Sequence, residues 1–353
     1  MSVRNELNPP HLPRRVLVTG GAGFIGSAFV RYLVESDPSV RMVNLDALTY
    51  AGRLAALGSA LENPRHLFVK GDIRDSALVH QLLREHEIDT VVHFAAESHV
   101  DRSIAGPAPF ITTNVVGTFT LLEAAREVWR SREYRGVRFH HVSTDEVFGS
   151  LRMDDPSFTE SSPYLPNSPY SASKAGSDHL VRAYWHTYGV PFTGTNCSNN
   201  FGPYQHAEKF IPTVIRSCLV REPIPVYGTG TNIRDWLYVE DHCRAIELVL
   251  QYGTAGEMYL VGARNEWQNL QIARLVCRFV AEALDQPAEQ YLHLIKLVTD
   301  RAGHDFRYAI DPSRIEGDLG WRPLESFENS LRKTVDWYLA NRWSVEITPP
   351  AAS

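Results

Sequence analysis

Two groupings of side chains in this sequence could move protons. Tyr170 and Lys174 stand four residues apart, so on a helix they share one face. An ammonium beside a phenol favours the phenolate, which makes a tyrosine usable as a base near neutral pH. With 15 tyrosines and five lysines in 353 residues, about 0.2 such pairs arise by chance, so the pair gains meaning only from its surroundings. The second grouping is Thr144-Asp145-Glu146. Two adjacent carboxyl groups with opposed protonation suit paired acid and base work. An isolated Asp-Glu pair is more often a surface turn. Here it closes an apolar segment and precedes Tyr170, which points both carboxyls toward a cleft instead of bulk water.

The elements that must position these groups can be read from the hydrophobic pattern. Residues 15–19, 41–45, 66–70, 90–94 and 137–143 read as strands, and residues 24–34, 76–85 and 110–129 as helices between them. Alternation at this pace means βαβ units and a Rossmann-type, doubly wound parallel sheet with helices on both faces. The Tyr170 helix starts with Asn167 or Ser168 as cap and Pro169 in its first turn. After about residue 195, turn signals become dense and shorter helical stretches follow at 211–220, 241–251 and 271–284, which predicts a smaller C-terminal substrate-binding region forming a cleft with the strands' carboxyl ends.

The first strand runs straight into Gly20-Gly21-Ala22-Gly23-Phe24-Ile25-Gly26 and then a helix. Gly20, Gly23 and Gly26 allow a tight turn, close backbone approach to a pyrophosphate, and close packing of helix on strand. The helix N-terminus favours the anion. Asp46 ends the second strand, 20 residues after Gly26, where a carboxylate binds ribose hydroxyls and repels a 2′-phosphate. The cofactor expected is therefore NAD.

The stretches GGAGFIGS, DALTYAG, FAAESHVDRSI, STDEVFG, YSASKA, NCSNNFGPYQHAEKFIP, PVYGTG, NIRDWLYVEDH and TDRAGHDFRYAID resemble, in order and from about Arg15 to Leu339, the dTDP-glucose 4,6-dehydratases of the extended short-chain dehydrogenase/reductase family. STDEV followed by Tyr-x-x-x-Lys is the most specific part. The sequence departs from the family pattern at Ala47, usually Lys, at Phe148, usually Tyr, and at Ala302, usually Pro. The last departure bears on nucleotide preference. The resemblance implies an oxidation–elimination–reduction cycle on dTDP-glucose with NAD recycled. Tyr170, tuned by Lys174, would take the 4-hydroxyl proton with Thr144 on the same oxygen. Glu146 would abstract the C5 hydrogen, and a protonated Asp145 would donate to the departing 6-hydroxyl.

By the same resemblance, NAD would meet Gly20, Gly23, Phe24, Ile25, Gly26, Asp46, Ala47, Leu48, Thr49, Asp72, Ile73, Phe94, Ala95, Ala96, Ser98, Thr113, Tyr170, Lys174 and Asn200. Ser98, Thr144, Asn199, Lys209, Pro225, Val226, Tyr227, Arg234, Asn269, Asp300, Arg301 and His304 would hold the sugar nucleotide. Arg234 suits a diphosphate, and its alternative is a surface salt bridge. His304 could equally be a packed histidine. Relatives dimerise through two long helices, here residues 110–129 and 169–188, so a homodimer is expected.

Composition narrows the rest. A net charge of -6 gives no basic footprint for nucleic acid, and no apolar run reaches the length of a membrane span. The polar, Pro-containing stretch Met1–Pro13 has no apolar core of a signal peptide. Cys197, Cys218, Cys243 and Cys277 fall in no metal or redox spacing and read as reduced residues of a cytoplasmic protein. His140-His141 lie on a strand, where side chains alternate, so no metal site is expected. Residues 1–14 read as a disordered extension, 15–195 as mainly the NAD-binding Rossmann domain, 196–345 as mainly the sugar-nucleotide region with the two able to interleave, and 346–353 as a tail. Rivals on the same scaffold are a UDP-glucose 4,6-dehydratase, a nucleotide-sugar 4-epimerase and a decarboxylase. The intact Asp145-Glu146 pair argues against the last two. A non-catalytic NAD-binding regulator would lack the Tyr/Lys pair.

Overall fold

The computed structural model describes residues 10–345. Its centre is β1 (Arg15–Thr19), which buries every residue after its first. Such a strand must be covered on both faces, and the cover comes from helices. The strands that follow are β2 (Arg41–Asp46), β3 (His66–Lys70), β4 (Thr90–His93), β5 (Arg138–Thr144), β6 (Phe192–Cys197), β7 (Asn199–Phe201), β8 (Ile224–Tyr227), β9 (Ile233–Tyr238), β10 (Glu257–Val261), β11 (Glu266–Gln268) and β12 (Ile295–Val298). Seven of them form one parallel sheet in the order β10-β6-β5-β4-β1-β2-β3. Val18 pairs with Asn44 on one side and Val92 on the other. Strand order reverses between β1 and β4, so a crevice opens at the carboxyl edge there.

Alternation along β1 divides the core. Leu17 joins Val91, Leu121 and Phe139 on one face, while Val16 and Val18 join Phe29, Val142 and Ile246 on the other. The second face is covered by α1 (Phe24–Ser36), and the first by α2 (Ser76–Glu85) and α3 (Thr118–Trp129). The helix expected over 110–129 begins at Ala108 and contains a π segment, Ile111–Gly117. A Cβ on Gly117 would come within 2.4 Å of Ile73, so only glycine lets this segment sit so close to the loop after β3. The widened turn places the Asn114 amide where it accepts from Glu97 N and donates to Glu97 O and Ser173 Oγ. The helix bearing the Tyr/Lys pair, α4 (Pro169–Tyr188), has Ser168 as its cap in a reciprocal capping box with Ser171.

The chain beyond residue 195 does not stay apart from this sheet. β10 pairs with β6, and α6 (Val239–Tyr252) contributes Ile246 and Cys243 to the face covered by α1, while α5 (Phe210–Val220) stays outside. The remainder forms a smaller lobe around Ile211, Trp236, Val276 and Leu331, with β11-β9-β7 and β12-β8 as small sheets.

One correction falls at the amino end. Residues 10–14 are not a loose extension: His11 is buried, its ring bonded to Thr90 Oγ1 at 2.8 Å and its amide to Gln251 O. The rest of that expected extension, residues 1–9, and the tail 346–353 lie outside the described residues. The four cysteines are free and buried. His140 and His141 turn to opposite partners, Thr193 and Asp178. Among the described residues no three His, Cys, Asp or Glu side chains are grouped to hold a metal, and no helix is long and apolar enough to cross a membrane.

Candidate active site

A cavity of about 670 Å³ lies at the carboxyl edge of the sheet, and both chemical groupings open into it. One end is the glycine turn. Gly20 has φ +72°, and a Cβ there would sit 2.6 Å from Ala95 N. A Cβ on Gly26 would sit 2.2 Å from Gly20 O. These positions therefore admit only hydrogen, and the absent side chains leave the backbone bare toward the cavity. The α1 N-terminus, capped by Gly23, has no side-chain cap and no acidic residue in its first turn. Asp46 closes the same end, its carboxylate accepting from Ala22 N and Leu48 N. Burial raises its pKa. Among the described residues no cation is bonded to it, so its carboxylate is free to accept from ribose hydroxyls and to repel a 2′-phosphate, and an NAD-type dinucleotide fits.

Of the residues expected around the cofactor, Gly20, Gly23, Phe24, Ile25, Gly26, Asp46, Ala47, Thr49, Asp72, Ile73, Phe94, Ala95, Ala96, Ser98 and Thr113 all line this cavity. Leu48 does not: it takes a left-handed turn (φ 51°) and touches the site only through Asp46. Asp72 lines the wall with its carboxylate held by Arg74, which lowers its pKa. Asn200 lines it too, but its amide is engaged by His242 and Ser198 O. Sequence reasoning missed several further lining residues, among them Tyr50, Arg74, Glu97, His99, Gln205 and His206.

At the other end, β5 runs out into a single 3₁₀ turn, Asp145–Phe148, capped by the Thr144 hydroxyl, which accepts from Glu146 N at 3.3 Å. Asp145 is 1% exposed, and its Oδ2 has no hydrogen-bond partner. Burial, then the neighbouring Glu146 and Asp235, push its pKa well above that of an ordinary aspartate, which favours the protonated acid. Burial also raises Glu146, but Lys209, Arg234 and Arg301 oppose that rise with positive charge. The two carboxyls thus differ in their neighbours: Asp145 faces other acids first, while Glu146 faces three cations.

Tyr170 and Lys174 line the same end of the cavity. Tyr170 is held well above a normal phenol by burial and by Glu146, and its contact with Thr144 works the other way. Lys174 reaches the neighbouring strand. Its ammonium donates to Val142 O at 2.8 Å, one helical turn below, and its charge is balanced by Asp178. Asp178 extends the same helix face by another turn, a position whose four-residue spacing from Lys174 could have exposed it in the sequence. Fully enclosed, it bonds His141, Ser143, Tyr164 and Asn196. That constellation fixes the strand-to-helix contact beneath the site.

The residues expected around the sugar nucleotide divide. Ser98, Thr144, Asn199 and Lys209 line the cavity, with Lys209 Nζ on Ser98 O at 3.0 Å and Asn199 Oδ1 buried without a partner. Pro225, Tyr227, Asn269, Asp300, Arg301 and His304 stand outside its wall. His304 bonds Asp300 at 2.6 Å and meets the Tyr227 ring edge-on at 6.1 Å. Val226 has its side chain in the lobe's core, 1% exposed, which leaves only its backbone to meet a ligand. Arg234 is no surface salt bridge. It is buried on Tyr308 and donates to the carbonyls of Ile233, Asp305 and Phe306.

The model of the family described as GDP-mannose 4,6 dehydratase matches residues 17–334. The dTDP-glucose 4,6-dehydratase of Neisseria meningitidis serogroup B is 53% identical over 335 residues, 93% of this chain and 94% of that protein. That of Xanthomonas campestris pv. campestris is 55% identical over 337 residues, 94% of each chain. Among solved structures, the Streptomyces venezuelae dTDP-glucose 4,6-dehydratase with NAD bound superposes with a TM-score of 0.85 at 49% identity, covering 93% of this chain and 98% of that one.

Proposed function

The chain belongs to the GDP-mannose 4,6-dehydratase family, and on that footing we propose how its site works. It converts dTDP-glucose to dTDP-4-keto-6-deoxyglucose and water, with NAD as a recycled cofactor. The observation that carries this reading is the buried Asp145 and half-buried Glu146 beside Tyr170 in one cavity. An epimerase or a simple dehydrogenase has no use for a second, protonated carboxyl there.

When bound, NAD takes two electrons from C4 and returns them at C6, and its oxidised ring adds a positive charge to the cleft. Tyr170 takes the 4-hydroxyl proton while Thr144 holds the same oxygen. Burial and Glu146 favour the phenol, and the added positive charge favours the phenolate that takes this proton. The resulting 4-ketone acidifies C5, and Glu146, kept basic by its three cationic neighbours, removes that proton. Asp145 gives its proton to the departing 6-hydroxyl, which leaves as water. Glu146, its proton exchanged with solvent while the intermediate waits, then reprotonates C5. Lys174 anchors α4 to β5 through Val142, and Asn199 and Lys209 face the substrate. Arg234 supports the diphosphate through the loop it braces.

Glu146→Gln tests the assignment. The variant should reduce its bound cofactor on mixing with dTDP-glucose, yet exchange no C5 hydrogen and lose at least about 10²-fold in kcat. Full turnover would remove Glu146 from the role of base. We also assign the protein to the cytoplasm, where four buried free thiols stay reduced. Ile111, Val116 and Phe119 expose apolar side chains along the helix that ends in α3, and Tyr188 ends α4. This face suits pairing of two copies through four helices.

A further inference from the structure

Three loops meet over the mouth of the dinucleotide cavity, joined by side chains that no catalytic step uses. The loop after β2 presents Tyr50. The segment after β4 presents His99 and Arg102. The loop ahead of α5 presents His206 and Glu208. Tyr50, His99 and His206 line the cavity, whereas Arg102 and Glu208 stand outside them.

Arg102 is gripped on two sides. Its guanidinium lies 4.0 Å from the centre of the Tyr50 ring and donates to both Glu208 oxygens, at 2.8 and 3.1 Å. Glu208 also meets His99 Nε2 at 3.7 Å and His206 Nδ1 at 3.8 Å, and Tyr50 meets the His206 ring edge-on at 5.5 Å. Burial opposes the charge on Glu208, but Arg102, His206 and His99 together hold its carboxyl below the ordinary range. The first two loops belong to the half that carries the glycine turn, and the third to the smaller lobe. The contact therefore fastens one half to the other across the cavity. Arg31 over the Tyr204 ring at 4.6 Å, and Arg53 on Ser344 O at 3.1 Å, fasten the same edge a second time.

Chemistry gives such a fastening a purpose. The electrons taken from C4 must return to C6 of the same sugar, so a cofactor lost between the steps aborts the cycle. We propose that the Tyr50–Arg102–Glu208 clasp retains the dinucleotide through the catalytic cycle, with Glu208 the positioning residue that ties the smaller lobe to the cofactor loops. The proposal rests on the reading of NAD as a recycled cofactor given above.

The test compares the parent protein with Glu208→Gln and Arg102→Ala, purified without added NAD. Dinucleotide content is measured after gel filtration, and dissociation is timed by trapping released NAD with an auxiliary dehydrogenase. The parent should carry dinucleotide. Each variant should lose it about three- to tenfold faster and, with dTDP-glucose and added NAD, release some free NADH and unreduced 4-keto sugar per turnover. The double variant should be no leakier than the worse single one, because both cut the same link. Variants that keep their dinucleotide and release no NADH overturn the clasp while leaving the cofactor assignment intact. A parent protein that carries none, and stays inactive with added NAD, overturns the cofactor assignment and the clasp with it.

Discussion

At the scale of single residues, the account turns on two neighbours in sequence that live in different electrostatic surroundings. Asp145 favours its neutral form because burial and the Glu146 and Asp235 carboxyls outweigh the Arg234 charge and the Thr144 hydroxyl, so its pKa lies above the value it has in the unfolded chain. Below the unfolded value both states hold the proton and nothing is lost. As pH rises past that value and on through the folded pKa, the unfolded chain gives up its proton first, and folding stability falls. Asp145→Asn removes this loss. Thermal unfolding should show the variant about 1–3 kcal/mol more stable than the parent at pH 8 and nearly equal to it below pH 4, while turnover drops about 10²-fold. An equal stability difference at both pH values would contradict the assignment. Glu146 sets the other flank. Its raised pKa means that activity is lost as pH falls through a value above an ordinary glutamate's, so the acid limb of kcat/KM should lie above the usual 4.5. The sequence exposed Asp145, Glu146, Tyr170 and Lys174 because their spacing is local. It hid the ammonium's attachment to Val142 and the gathering of Lys209, Arg234 and Arg301 around Glu146, because those meetings join residues tens of positions apart.

The elements explain why those residues stay in place. Strand and helix limits in the first half follow from apolar period, cap and turn chemistry, all of them local signals. β1, β3, α2 and α4 have the limits the sequence assigned to them. The π segment at Ile111–Gly117 was not legible, since the pattern of residues 110–129 reads as one regular helix. The burial of Val226 was hidden for a similar reason: the two-residue alternation of β8 alone does not say which face meets the lobe's core. The glycine turn is the element whose failure should be clearest. An alanine inside a helix ordinarily adds up to about 1 kcal/mol over glycine. At Gly26 the added Cβ meets Gly20 O, so Gly26→Ala should instead lower stability by about 1–3 kcal/mol and abolish copurifying dinucleotide. A variant as stable as the parent and still loaded would show that the turn can relax.

Over the whole molecule, one parallel sheet and one smaller lobe share a chain that crosses between them. Residues past 195 supply β10 and α6 to the sheet's flank, and the loop before α5 returns to cover the cofactor end of the cavity. Asn199, Asn200 and Lys209, which line that cavity, are therefore far in sequence from the catalytic turn. Those positions entered the sequence reading through family likeness, not through any local pattern. The exposed apolar face along the helix ending in α3 makes a further expectation. Sedimentation should find a dimer at micromolar concentration, and Phe119→Glu should shift it toward monomer. A parent protein that sediments as a monomer would remove the pairing proposed for that face.

The measurement that bears most directly on the central claim is the mass of the product formed from dTDP-glucose in heavy water, with no NAD added. Oxidation at C4, removal of the C5 proton by Glu146, loss of water through Asp145 and return of the same electrons to C6 predict a product lighter by one water and carrying deuterium at C5. A sugar of unchanged mass would contradict that account, as would a dehydrated product with protium at C5.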